Sequence, residues 1–434
     1  MRKFLYSVFM LAAVVLAACS NDDNGDTQPK RGMTLNASVE NLSSRATMTD
    51  ESGTWKFAFA VNDQVIVSNN KISKYYTFTN NGSQFTSTDA MVTTEDANWY
   101  AYFPGNEVDL TNQTGNFADV ANKFAVAGVT AEATTGETGL SITLKSKVAV
   151  LRVVAVDKKG ILDIHVKTAD GKWVKGLTAT KNAADFAVSK SDTKTTLLYK
   201  AAGTVNAGEI NYVVVPAGVK IAIYNGNLLL NTTKDAGLAE GKYYTITSGP
   251  TKGTENALIN GVEKKINWVQ LWAGGPRFAT ENVAEEMTWT EAAKTGSDYV
   301  WGANWRTPTA EEVEEKGGLL FDWNTGQAQA GSPTFTITTA PDGTEETVVF
   351  TGMQLGYTKN TLTLYKKVVN GYNQFDFWTS TNDGGYGCKF IIWRKDNITW
   401  GFGISKRHDP NTEYHLVRPV LSIQNITNIT NNKK

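Results

Sequence analysis

Val148-Ala149-Val150-Leu151-Arg152-Val153-Val154-Ala155-Val156 carries one charged side chain in an otherwise apolar, valine-rich run. So short a run, rich in β-branched residues, reads as a strand covered on both faces, because valine loses rotamer freedom in a helix and packs well on a pleated surface. Tyr212-Val213-Val214-Val215 repeats the pattern. On either side the texture is alternation: Trp55, Phe57, Phe59 and Val61, then Val65 and Val67, then Ile142 and Leu144. The turn clusters Asn80-Asn81-Gly82, Lys158-Lys159-Gly160 and Asp170-Gly171 punctuate these strands. The Ala-rich stretch 120–133 lacks a helical apolar stripe and is read as non-helical. Many short strands divided by Gly, Asn and Thr turns predict sandwiches with Greek-key connections. A region of about 215 residues accommodates two of them. They are placed at 33–135 and 136–250, with the seam at Thr134-Thr135-Gly136 ahead of a strand over 140–144.

The chain begins with the basic pair Arg2-Lys3, an apolar segment over 4–18 and the quartet Leu16-Ala17-Ala18-Cys19. A positive start, a short apolar segment and small residues before a break form a secretory signal. The quartet resembles the lipobox of bacterial lipoproteins, which implies removal of residues 1–18 and acylation of Cys19, and so an anchor in a membrane. Residues 19–32 are polar and acidic at first, and they predict a flexible tether. The chain as a whole is close to neutral: Lys+Arg 42 against Asp+Glu 43, net charge −1. Without a basic excess to neutralise phosphates, nucleic acid is not an expected partner. Of the two cysteines one is assigned to lipid, leaving Cys388, so neither a disulfide framework nor a Cys-rich metal site is expected.

After Thr251-Lys252-Gly253-Thr254 the composition shifts: nine of the twelve tryptophans lie between Trp268 and Trp400. Two short helices are predicted here, each opened by the capping-box spacing, Thr288 with Glu291 and Thr309 with Glu312. Hairpins are predicted about Pro341-Asp342-Gly343, Asn370-Gly371 and Asp396-Asn397. Two helices followed by paired strands predict an α+β domain over 255–421, with a polar tail at 422–434.

Arg45-Ala46-Thr47, then Trp55, Asn62-Asp63-Gln64-Val65-Ile66-Val67 and Trp99-Tyr100-Ala101-Tyr102-Phe103-Pro104 occur in the order seen at the start of the fimbrillin-type pilins of Bacteroidetes. Val215-Pro216-Ala217-Gly218 and Glu240-Gly241-Lys242-Tyr243-Tyr244 extend the resemblance. Arg277-Phe278-Ala279-Thr280, Trp289-Thr290-Glu291-Ala292, Trp305-Arg306-Thr307-Pro308, Phe377-Trp378-Thr379-Ser380 and Val417-Arg418-Pro419-Val420 resemble the Fibrobacter major paralogous domain, related in fold to C-type lectins. These likenesses imply a mainly β protein: two tandem fimbrillin-like β-sandwich domains followed by an α+β C-type-lectin-like domain. They also imply proteolysis between Arg45 and Ala46, loss of the strand near 33–40, and filling of the vacated groove by a strand of another pilin subunit.

No catalytic residue is expected. A redox-active cysteine pair is missing, as are a G-x-S-x-G elbow and a phosphate loop. His408-Asp409 and His415 fall short of a metal site, and the Glu-Pro-Asn and Trp-Asn-Asp motifs of calcium-dependent lectins are absent, so neither metal nor cofactor is expected. Sugar recognition needs flat aromatic faces beside amides and carboxylates. Trp323, Asn324, Tyr372, Asn373, Asn382, Asp383 and Tyr386 supply that mixture in loop-like sequence, whereas Trp289, Trp305 and Trp378 fall in motifs that build the fold. The tail 422–434 is too polar for a donor strand. The reading is therefore a cell-surface fimbrial tip adhesin, assembled by strand exchange from a lipid-anchored outer-membrane precursor, with a glycan or protein of host or bacterial surfaces as ligand. A solitary surface lipoprotein that binds glycans uses the same parts.

Overall fold

A computed structural model describes residues 34–39, 50–51, 54–55, 59–70, 74–88, 98–130, 139–157, 160–314, 334–339, 346–351, 360–365, 367–369, 372–394 and 400–422. The expected signal segment, Cys19, Arg45, Ala46, Trp323, Asn324 and nearly all of the tail lie outside them. The fold is mainly β.

The first unit is a closed barrel in the order Thr34–Val39, Gly139–Ser146, Val126–Thr130, Trp99–Phe103, Gln64–Asn69, Tyr76–Asn80 and Phe85–Thr86. Within the expected sandwich-like arrangement Thr34–Val39 bridges the open side, so the strands join in one closed ring. It runs parallel to Gly139–Ser146 over its whole length and antiparallel to Phe85–Thr86 through Thr34 and Leu35 alone. Alternation sets the inner face: Leu140, Ile142 and Leu144 are buried while Ser141, Thr143 and Lys145 are exposed. Each such burial contributes about 1.5–3 kcal/mol. The strand Gly139–Ser146, assigned from sequence to the second unit, therefore belongs to the first. Its partners are strands 34–39 and 126–130, and pairing across so long a loop leaves no local trace.

A seven-residue helix, Phe117–Lys123, runs into the first four residues of the Ala-rich stretch expected to be non-helical, and the strand Val126–Thr130 follows it. That helix buries only Val120, which explains the missing stripe.

The second unit pairs a three-stranded sheet with a larger one. Val148–Val154 lies between Ile210–Pro216 and, in parallel, Tyr243–Thr247. The larger sheet runs Phe186–Ser191, Trp173–Ala179, Leu162–Thr168, Ile221–Asn225 and Leu228–Thr232. Both units share one core, from Leu35 to Leu238. Glu107–Asp109, from the first half, pairs with residues 176–178 of the larger sheet, and Tyr102 donates its hydroxyl towards the carbonyls of Thr180 and Ala183 at 3.0 and 2.8 Å.

The C-terminal half holds a five-stranded, a three-stranded and a four-stranded sheet, a small two-stranded pairing and the short helices Trp289–Ala292 and Ala310–Glu314. Thr288 and Glu291 form a capping box, and Thr309 and Glu312 make the same two reciprocal bonds. The expected hairpins 334–351, 367–374 and 388–402 pair as read. Trp305 and Trp378 are fully buried, their indole N–H groups donating to the carbonyls of Asn256 and Met287 at 2.9 and 2.7 Å. Arg277 bonds Asp157 at 2.9 Å, which ties this half to the second unit.

Candidate functional site

Among the described residues, one end of the four-stranded sheet Lys367–Val369, Tyr372–Asp383, Tyr386–Arg394 and Trp400–His408 gathers several of the expected site residues. Asp383 and Tyr386 pair across the two-residue turn Gly384-Gly385, with φ of 64° and 95°. Positive φ at both central positions is the hairpin turn whose twist matches the strands, and glycine takes it without strain. The Asn382 side-chain oxygen accepts from the Gly385 N–H at 2.8 Å and holds the turn. Asp383 lies 3.8 Å from Arg407, itself left-handed at φ 64°. Tyr386 is 47% exposed and Tyr414 54%.

Tyr372 and Asn373 stand at the other end of the same twelve-residue strand. At about 3.3 Å per residue they lie roughly 30 Å from Asn382, so the expected set does not form one site. Of that set, Asn382, Asp383 and Tyr386 come together.

Further along the same strands lies a charge network that the sequence did not suggest. Lys389 and Asp376 are buried 3.4 Å apart, and Lys389 Nζ is 3.1 Å from His415 Nε2 and 3.9 Å from Glu413. His415 Nδ1 is 3.0 Å from Asp376 Oδ2, off the line of a good hydrogen bond. His408 bonds Glu413 through Nδ1 at 2.7 Å and Ser405 through Nε2 at 2.8 Å. The Trp378 ring packs edge-on against His415 at 4.7 Å. Burial, and then the Lys389 ammonium, hold the His408 pKa below its ordinary value. Burial works to raise the Glu413 pKa, but its hydrogen bonds to His408 and Asp409 prevail and leave it lowered. The two histidines thus do acquire carboxylate neighbours, but an ammonium sits among them. Among the described residues no group of His, Cys, Asp and Glu is disposed to hold a metal ion.

A second cluster, also unread from sequence, lies on the outer face of the larger sheet of the second unit. Lys167 Nζ stands 4.4 Å above the Trp173 ring and 5.9 Å from Tyr224. A lone tryptophan after a turn gives no hint of this, since its partners come from other strands.

No family model matches the chain, and no curated protein matches it. Among solved structures, a fimbrial protein from Bacteroides ovatus is similar at 12% identity and TM-score 0.26, over 91% of this chain and 100% of that one. A proposed cell adhesion protein from Bacteroides ovatus is similar at 9% identity and TM-score 0.31, over 55% of this chain and 96% of that one. A proposed cell adhesion protein from Bacteroides uniformis is similar at 12% identity and TM-score 0.30, over 54% of this chain and 97% of that one. At such scores the likeness carries no argument, and the fold stands on the strand pairing described above.

Proposed function

We propose that the chain is a cell-surface fimbrial subunit placed at a fibre tip, with the strand Thr34–Val39 as a removable stave and the C-terminal half as an adhesive surface. The observation that carries this reading is the unequal pairing of that strand. On one side six residue pairs hold it, and on the other only Thr34 and Leu35 do. It buries one side chain completely, Leu35, with Ala37 and Val39 partly packed. Its loss would bare the ladder groups of Gly139–Ser146 and a short apolar slot, and backbone groups left unpaired in a groove favour an incoming strand. A cut after Arg45 would free the stave together with any lipid at Cys19.

The alternative, a solitary glycan-binding lipoprotein, draws support from the same strand, since a barrel already closed on both sides needs no partner. In either reading Tyr386 and Tyr414, with Asn382, Asp383 and Arg407, offer the aromatic and polar groups of a ligand surface, and no enzymatic activity is proposed. The Ser405, His408 and Glu413 relay then serves to fix the 408–415 loop. Arginine-specific proteolysis followed by N-terminal sequencing separates the two: a new Ala46 terminus with polymer growth supports the fimbrial reading, and an intact, functional monomer supports the solitary one. Glycan arrays with Tyr386→Ala and Tyr414→Ala address the surface, and unchanged binding in both would remove these residues from it.

A further inference from the structure

The outer face of the larger sheet in the second unit departs from the polar surface that a half-buried sheet normally presents to water. Leu162, Ile164 and Val166 point into the core, so Asp163, His165 and Lys167 turn to the opposite face, where His165 is itself covered, its ring 5.7 Å from that of Trp173. Register places Tyr199 beside Asp163, Tyr224 beside His165, Trp173 beside Lys167, and Leu229 beside Tyr224. Tyr199 is 59% exposed and Leu229 50%. Trp173 and Tyr224 are half-buried and meet edge-to-face at 5.8 Å. Four large apolar side chains on one open sheet face lose stabilisation unless something covers them.

The charges on this face are unequal. Asp163 is engaged by His165 at 2.8 Å and Lys194 at 3.9 Å, Asp170 by Lys190 at 2.9 Å, and Asp192 by Lys172 at 3.3 Å. Lys167 has the Trp173 and Tyr224 rings but no carboxylate partner among the described residues. Lys194, 6.0 Å from the same Trp173 ring, donates to the Gly226 carbonyl at 3.1 Å and touches Asp163 only at the limit of an ion pair. A ring holds an ammonium in place without neutralising it. The platform is thus aromatic with a residual positive charge at its centre.

We propose that this face is a binding site for carboxylate-bearing saccharides, with Tyr199 and Tyr224 stacking on the apolar faces of the sugar rings and Lys167, seconded by Lys194, taking the carboxylate. Uronic and sialic acids combine both features, whereas a neutral glycan supplies only the first. The site lies on a different unit from the Tyr386 turn and does not depend on strand exchange.

The test titrates the full chain with polygalacturonate oligosaccharides, hyaluronan oligosaccharides and sialyllactose, with dextran oligosaccharides as the neutral control, by calorimetry and tryptophan fluorescence. The expected result is binding of at least one acidic probe, weakened by salt, with no response to dextran. Lys167→Gln and Tyr199→Ala should each weaken it about tenfold or more. Both positions are outside the core, so these variants keep the fold, checked by circular dichroism, even if Trp173→Ala does not. Failure of all three acidic probes, equal binding of dextran, or binding untouched by both variants overturns the proposal. So does concentration-dependent self-association abolished by Tyr199→Ala, which would make the face a contact between copies.

Discussion

Leu35 lies opposite Phe85 in antiparallel register, and this pair is where the barrel closes. Both are buried, and Leu35 has no exposed surface. Leu35→Ala should therefore cost about 2–5 kcal/mol, the range for a buried leucine truncated in a packed core. Urea unfolding followed by Trp99, which lies in the same barrel, reads this directly. A change below the error of the measurement would mean that the seam bears little load.

Gly176 should tolerate no side chain. A Cβ there would collide with the Val108 carbonyl oxygen, because Glu107–Asp109 lies against the larger sheet at this point. Backbone cannot step aside as a flexible side chain can, so Gly176→Ala is expected to destabilise by about 1–3 kcal/mol or more. Thermal unfolding checks it, with Gly171→Ala as comparison: nothing lies within 4 Å of that Cβ, but its φ of 81° makes it a control for backbone strain alone. Gly176 itself does not take a left-handed φ, so an unchanged melting temperature in Gly176→Ala would show that the close approach to Val108 is relieved without cost.

Acid should loosen the C-terminal half in two stages. His408 has a lowered folded pKa, so its contribution is full above the unfolded value of about 6.5 and is lost as pH falls through that value towards the folded one. Glu413 is lowered as well, so its contribution is full above about 4.5 and is lost on further acidification. Lys389, His415 and Asp376 face the same network. His408→Gln should remove the upper stage and leave the lower, as measured by thermal unfolding between pH 4 and 8. An unchanged upper stage would show that His408 is not its source.

Glu312 makes more bonds than a surface carboxylate normally does. It takes both guanidinium nitrogens of Arg306, at 2.7 and 2.5 Å, and caps the Thr309 N–H at 2.9 Å. Losing a bidentate pair and a helix cap together should cost about 1–3 kcal/mol in Glu312→Ala. Hydrogen exchange should show the helix Ala310–Glu314 opening first, and uniform exchange across the half would contradict that.

Local patterns were legible in the sequence. Leu140, Ile142 and Leu144 alternate, and they face the core; Thr288 and Glu291 stand at capping spacing, and they cap. What escaped depends on partners distant in the chain. Ser38 and Thr143 hydroxyls lie 3.4 Å apart across 105 residues, a parallel pairing that no turn signal announces. The strand 139–146 therefore sits in a different unit from the one its sequence neighbours suggest. Asp376 stands in an aromatic run, and only folding brings it to His415 and Lys389. Asn373 and Asn382 look like neighbours in sequence, yet an extended strand holds them apart. Trp173 acquires its meaning from Lys167 and Tyr224 on adjoining strands.

Limited digestion of the purified chain with an arginine-specific protease tests most directly whether Thr34–Val39 is a removable stave. Edman sequencing and light scattering should find a new terminus at Ala46, release of the fragment bearing residues 34–39, and growth of polymers or capture of an added strand peptide by the opened barrel. A chain that resists cleavage after Arg45 under native conditions, or one that is cut yet retains the fragment and stays monomeric, would contradict it.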